Sequence, residues 1–171
     1  MMLSDKTIEE YCDKYGLITP FQKSKLQPSS YDLTLDDMFY DDVEDNYVLT
    51  NTFVLKPNDF VLASTIEEVN IPSNLVGRVE GKSSLGRIGL MTHITAGFID
   101  AGFNGSITLE LKNVGNKPIY LKVGCSIAQI CFISLDKYCE NPYNEEDNHY
   151  QYQTKVTKSR YECKGGAYYV R

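Results

Sequence analysis

Ser106-Ile107-Thr108-Leu109-Glu110-Leu111-Lys112-Asn113 alternates apolar and polar residues without interruption. Ile107, Leu109 and Leu111 share one face of a strand, and Thr108, Glu110 and Lys112 share the other. A period of two predicts a strand with one buried face rather than an amphipathic helix. Glu110 then stands opposite the apolar side. Two readings of it are open. Either it faces solvent, or its face lines a pocket, where partial desolvation raises a carboxylate pKa and suits it to moving protons.

The same signature extends in both directions. Short runs rich in Val, Ile, Leu, Thr and Phe predict strands over 30–35, 47–55, 59–65, 75–80, 105–113, 119–122 and 126–135. Turn residues separate them: Pro57-Asn58, Pro72-Ser73-Asn74, Asn104-Gly105, Gly115-Asn116 and Val123-Gly124. Only the N-terminus reads as a helix. Ser4 or Asp5 caps it, Ile8, Tyr11, Cys12 and Tyr15 form its stripe, and Gly16 follows its end. The expectation is one mainly-β domain over 1–171, barrel-like or sandwiched, with a short N-terminal helix. From Lys137 the chain turns to Tyr, Asn, Glu and Gln. That stretch, 137–171, reads as a surface tail or as a lid over a ligand.

Composition narrows the function classes. The chain has 171 residues, enough for one domain with a proper core. Its net charge of -6 argues against broad nucleic-acid binding, which needs a basic face, but leaves room for a nucleotide ligand. No run reaches membrane-span length, and Met1-Met2-Leu3-Ser4-Asp5-Lys6 lacks a signal-peptide pattern. A cytoplasmic protein is expected, in the host cytoplasm if the chain is viral. Cys12, Cys125, Cys131, Cys139 and Cys163 are odd in number and show no C-x-x-C spacing, so neither a zinc site nor a disulfide framework is suggested.

The chemistry concentrates between Glu80 and Asn113. Gly81-Lys82-Ser83-Ser84 offers close backbone approach, a cation and two hydroxyls. That suits a phosphate cradle, although the Walker A spacing is absent and a plain turn has the same composition. His93-Ile94-Thr95-Ala96-Gly97-Phe98-Ile99-Asp100-Ala101-Gly102-Phe103 follows, with glycines around one carboxylate. Here main chain can meet a ligand. Asp100 either caps a turn or binds a sugar hydroxyl or water. His93 is either a packed histidine or a ligand or base. Asn104-Gly105 reads as a hairpin turn.

Taken in order, Gly81-Lys82-Ser83-Ser84-Leu85-Gly86-Arg87, His93-Ile94-Thr95-Ala96-Gly97-Phe98-Ile99-Asp100 and Ile107-Thr108-Leu109-Glu110-Leu111 closely resemble the dCTP deaminases of the dUTPase-like superfamily. Thr95-Ala96-Gly97 followed by an aromatic and Ile-Asp is similar to the bifunctional dCTP deaminase/dUTPases. Gln27-Pro28-Ser29-Ser30-Tyr31-Asp32-Leu33, Ser126-Ile127-Ala128-Gln129, Tyr150-Gln151-Tyr152-Gln153 and Thr157-Lys158-Ser159-Arg160 extend the resemblance over nearly the whole chain.

The resemblance implies a distorted β-barrel homotrimer with interfacial active sites, turning dCTP into dUTP or onward into dUMP and pyrophosphate. It implies that Glu110 moves protons, that Ser83 and the Ala96 carbonyl position water, and that Arg87 organises the network. Lys82 and Ser84 would meet the triphosphate, Ile94 and Thr95 the base, and Asp100 the 3′-hydroxyl. Gln129 lies in a motif shared with dUTPases. Tyr143 and Gln153 would be lid residues that reach the phosphates. Mg²⁺ would come with the nucleotide, without direct protein ligands. No zinc is expected, because the H-x-E and P-C-x-x-C pattern of zinc deaminases is absent.

Some positions depart from the family. Tyr152 stands where many relatives have Gly, and His149 where many have Lys. Glu145-Glu146-Asp147 brings negative charge to the presumed lid, and the chain between Tyr40 and Tyr47 is shorter than in several relatives. Two other functions stay open. A plain dUTPase could use Asp32, Ser83, Ser84, Asp100 and Gln129, but has no general need of Glu110; Gly165-Gly166 is a faint echo of its Gly-rich tail. A catalytically silent nucleotide-binding trimer would not need Glu110 and Arg87 intact.

Overall fold

The computed structural model describes residues 1–144 and 148–160. It begins with helix α1 (Asp5–Tyr15), entered from extended Ser4 and ended by Gly16 at φ 62, a left-handed value that glycine adopts freely. Ile8 and Cys12 are buried, whereas Tyr15 is 43% exposed, so the buried stripe is narrower than the periodicity predicts.

The rest is mainly strand. In chain order come β1 (Ile18–Thr19), β2 (Leu26–Gln27), β3 (Ser30–Asp41), β4 (Asn46–Leu49), β5 (Thr52–Leu55), β6 (Phe60–Asn70) and β7 (Leu75–Gly81). A helical turn α2 (Ser83–Gly86) follows, then β8 (Leu90–Met91), β9 (Phe98–Ile99), β10 (Asn104–Asn113), β11 (Ile119–Lys122) and β12 (Ser126–Ser134). Among the described residues the main sheet runs β8-β10-β6-β3-β12-β7-β9, with β1 on β6 and β2 and β4 on β3. β5 and β11 pair separately.

This sheet curls until loop 92–97 spans its open seam. Glu110 N–H donates to Thr92 O at 3.3 Å, and Val79 N–H donates to Gly97 O at 2.7 Å. The loop thus joins β10 to β7 and makes a distorted barrel. Leu33, Leu35, Phe39, Leu109, Leu111, Ile130 and Phe132 fill it. No helix among the described residues is long and apolar enough to cross a membrane.

Three local expectations are corrected. Asn104-Gly105 is no hairpin turn; both residues lie in β10, opposite Asn70 and Val69. Gly105 serves close approach instead, since a Cβ there would sit 2.6 Å from Gln153 O. Second, 47–55 is not one strand. β4 pairs with β3 and β5 with β11, and the chain changes sheets at Thr50-Asn51. Third, strands 30–35 and 59–65 run on to Asp41 and Asn70, because each has partners along its added length.

A carboxylate network crosses the interior unannounced by the sequence. Glu67 is fully buried, and its Oε1 lies 2.7 Å from Lys25 Nζ. Thr34 donates its N–H to Oε2 and its hydroxyl to Oε1, each at 2.7 Å.

The C-terminal segment lies along the edge of β10. Tyr152 N–H donates to Asn104 O at 2.7 Å, and Ser106 N–H donates to Gln153 O at 2.8 Å. Lys155 anchors it to Asp36 and Asp37 at 2.9 and 2.8 Å. Tyr152 adopts φ 58, the backbone region that glycine favours. Glu145-Glu146-Asp147, Cys163 and Gly165-Gly166 lie outside the described residues.

Burial pushes the Cys12 thiol from 9.0 up to about 11 and the Tyr31 phenol from 10.0 up to about 12. Each proton is held more tightly in the folded chain than in the unfolded one. The associated stability is complete below the unfolded values and is lost as pH rises through the folded ones. Urea melts should therefore hold steady near neutrality and weaken between about pH 9 and pH 12. A Cys12→Ala variant should lose the earlier part of that slope.

Candidate active site

β7 ends at Gly81, and the chain turns into α2 through extended Lys82. Leu85 and Gly86 N–H both donate to Lys82 O, at 3.0 and 2.9 Å, so the predicted Gly-Ser loop is one helical turn. Gly81, Lys82, Ser83, Ser84 and Gln129 line a cavity of about 220 Å³. Gln129 fixes its wall, accepting from Ser30 Oγ and donating to Gly81 O, both at 3.2 Å. A lysine and two serine hydroxyls around a small cleft match an oxyanion in charge and donors.

Lys82 already has a partner, Asp32 Oδ2 at 2.5 Å. Asp32 Oδ1 is buried with no hydrogen-bond partner among the described residues. The sequence reading gives Asp32 only to the dUTPase alternative, because nothing in Tyr31-Asp32-Leu33 shows that it meets Lys82. The available signal is a carboxylate set between Tyr31 and Leu33 in a strand pattern, and residues 31–35 are all buried.

Glu110 comes to the same region from β10. Its Oε2 accepts the Ile94 N–H at 2.7 Å. Ile94, Thr95 and Ala96 are exposed on the seam loop. The two halves approach where a Cβ on Gly81 would lie 3.5 Å from Thr92 Oγ1. The seam loop, with the Glu110 carboxylate of β10 bonded to its Ile94 N–H, thus adjoins the Gly81 end of the cradle. His93 packs beneath it, its Nε2 3.0 Å from where a Gly97 Cβ would stand, and its Nδ1 is buried without a partner among the described residues.

The other predicted residues are spread more widely. Arg87 is exposed just past α2 and lines a larger groove of about 880 Å³ with Leu35, Leu85, Ile88, Tyr120 and Ile127. Asp100 is exposed after β9, and its carbonyl accepts Phe103 N–H at 3.2 Å. Tyr143 and Gln153 do not line the cradle cavity. Tyr143 stacks edge-on against Phe103, with its hydroxyl accepting Tyr150 N–H at 3.0 Å. Gln153 Nε2 donates to Ser106 O at 2.8 Å. No three His, Cys, Asp or Glu among the described residues could hold a metal ion together.

Residues 41–135 match the family model described as dCTP deaminase-like. A Mycobacterium sp. (strain KMS) protein named "dCTP deaminase, dUMP-forming" is 45% identical over 94% of this chain and 95% of its own. The chain belongs to the dCTP deaminase-like family. A Rhodococcus opacus (strain B4) member of the same name is likewise 45% identical, over 94% of this chain and 96% of its own. In fold, this dCTP deaminase-like chain is similar to the 2'-deoxycytidine 5'-triphosphate deaminase of Agrobacterium tumefaciens. The TM-score is 0.66 at 21% identity, over 77% of this chain and 47% of that one. A mutant dUTPase from phage phi11 of S. aureus, whose structure concerns a structural Mg(II) ion, has a TM-score of 0.53 at 18% identity, over 76% of this chain and 92% of that one.

The seam loop of this dCTP deaminase-like chain makes a local prediction. A Cβ on Gly97 would lie 2.7 Å from Val79 O and 3.0 Å from His93 Nε2. Gly97→Ala must push the loop off β7. Overpacking of this kind costs about 1–3 kcal/mol. A displacement near 1 Å in a site costs on the order of a hundredfold in rate. Thermal melts and initial rates of the variant measure both effects.

Proposed function

We propose that the chain is a dUMP-forming dCTP deaminase working without zinc. The observation that carries the reading is the Glu110 carboxylate, bonded to the Ile94 N–H on the seam loop whose Thr92 adjoins Gly81, the glycine at the edge of the Lys82-Ser83-Ser84 cleft. It supplies a proton carrier at the base end and cationic and hydroxyl donors at the phosphate end. The shared name of two relatives at 45% identity supports the same chemistry.

Glu110 takes a proton from water as the oxygen adds to C4 of cytosine. It passes protons to N3 and then to the amine, which leaves as ammonia and gives dUTP. Ser83 and the Ala96 carbonyl orient that water, and Arg87 arranges the groups around it. Ile94 and Thr95 main chain reads the base edge, and Asp100 takes the 3′-hydroxyl. Lys82, Ser84 and Gln129 serve the phosphate end, with Tyr143 and Gln153 on the covering segment. A second water then attacks the α-phosphate, releasing pyrophosphate and leaving dUMP. Room for that step comes from Gly97 and uncharged Phe98. The residues fit a cation carried by the nucleotide: Asp32 Oδ1 is an unsatisfied carboxylate oxygen beside the cradle, and no protein metal cage is needed. When bound, Mg²⁺ offsets charge on the leaving pyrophosphate. In the proposed assembly a single domain, 1–171, forms a homotrimer with the sites at subunit interfaces, and residues 137–171 are its covering segment. The working location is the cytoplasm.

A time course with labelled dCTP and Mg²⁺ tests the proposal. The expected products are ammonia, dUMP and pyrophosphate, with activity retained under a selective zinc chelator. Stoichiometric dUTP that is not consumed when added separately would leave deamination alone. Turnover of dUTP but not dCTP would leave a plain dUTPase, and binding without turnover a silent regulator.

A further inference from the structure

One side chain grips the turn that follows Asp100. Gln151 Oε1 accepts Asn104 N–H at 2.9 Å, and its Nε2 donates to Gly102 O at 2.9 Å. A primary amide carries a donor and an acceptor together, so it can pair with main chain as a strand would. The backbone beside it adds the bond from Tyr152 N–H to Asn104 O at 2.7 Å. From the other side, Tyr143 N–H donates to Ala101 O at 2.7 Å. Gly102 has φ 95, and a Cβ there would lie 2.7 Å from both Pro142 Cβ and Tyr143 O. These two stretches of the C-terminal segment thus hold the turn between them, while Asp100 stays exposed.

We infer that Gln151 is a positioning residue for Asp100, setting the 100–104 turn so that the carboxylate meets the deoxyribose 3′-hydroxyl. The inference rests on the deaminase reading, which gives Asp100 that partner. The sugar contact is the same in the ground state and the transition state, so losing the clamp raises KM and spares kcat. It also erodes discrimination against a 2′,3′-dideoxy analogue, which leaves a hydrogen-bonding site unpaired only when that site is held in place.

The test uses the full chain, with dCTP as substrate and 2′,3′-dideoxy-CTP as competitor. Gln151→Leu keeps the volume and loses both hydrogen bonds. KM for dCTP should rise about tenfold with kcat within about twofold, and preference over the dideoxy analogue should shrink about tenfold. Gln151→Glu keeps an acceptor for Asn104 N–H but turns an oxygen on Gly102 O. It should show an intermediate shift, and it keeps the test alive if the leucine variant fails to fold. Unchanged KM and discrimination in folded variants, or a fall in kcat alone, overturns the inference. A wild-type protein that leaves dCTP intact sinks the deaminase reading and the inference with it. An active wild type with indifferent Gln151 variants sinks only the clamp.

Discussion

Glu110→Gln should lower dCTP turnover at least about a hundredfold, the low end for loss of a general acid/base, while the chain still folds and binds nucleotide. Among the described residues, the carboxylate's hydrogen bond is the one from Ile94 N–H to Oε2 at 2.7 Å. A glutamine can offer its amide oxygen to that N–H in the same place. What it cannot do is take a proton from water and return it to the base. The apolar face of β10, built from Ile107, Leu109 and Leu111, is untouched by the change. Circular dichroism and dCTP binding should match the parent, and the difference should appear in kcat. Near-normal turnover would remove Glu110 from the chemistry.

The second large effect concerns stability. Lys25→Met should cost about 3–5 kcal/mol, the loss expected when a buried charge is left without its partner. Glu67 is fully buried, and Lys25 Nζ at 2.7 Å is its counter-charge. Thr34 still gives two hydrogen bonds, but they do not balance the charge. A double variant, Lys25→Met with Glu67→Gln, should recover much of the loss, because no ionised group of the pair then stays buried. Urea unfolding at one fixed protein concentration measures the cycle, since any association would make apparent stability depend on concentration. A single variant as stable as the parent would show that water already reaches Glu67.

Which of these features can be read from the residues follows from their range along the chain. Glu110 is legible because alternation over Ser106–Asn113 is local, and a period of two assigns faces without a structure. The cradle is legible from residue types, since a lysine, two hydroxyls and a glycine sit side by side. The Lys25–Glu67 pair is not. Thr65-Ile66-Glu67-Glu68-Val69 looks like the solvent end of a strand, and the partner comes from a short 3-10 turn far back in the chain. Lys82–Asp32 is hidden for the same reason. Asn104-Gly105 misleads because the dipeptide favours hairpins when nothing else is near. Here the Gln153 backbone lies against it, and tertiary contact overrides the local preference.

On the proposed reading, the seam loop bears on how such an enzyme can change its choice of base. Its two ends are pinned, at Thr92 to β10 and at Gly97 to β7. Its middle residues, Ile94, Thr95 and Ala96, are exposed and are absent from the barrel's core. If Ile94 and Thr95 meet the base as proposed, drift toward a substituted pyrimidine is open at 94–96 and closed at 92 and 97, where the same change would unfasten the barrel. A mutant library that varies the first set and spares the second explores new substrates without losing its members to unfolded chains.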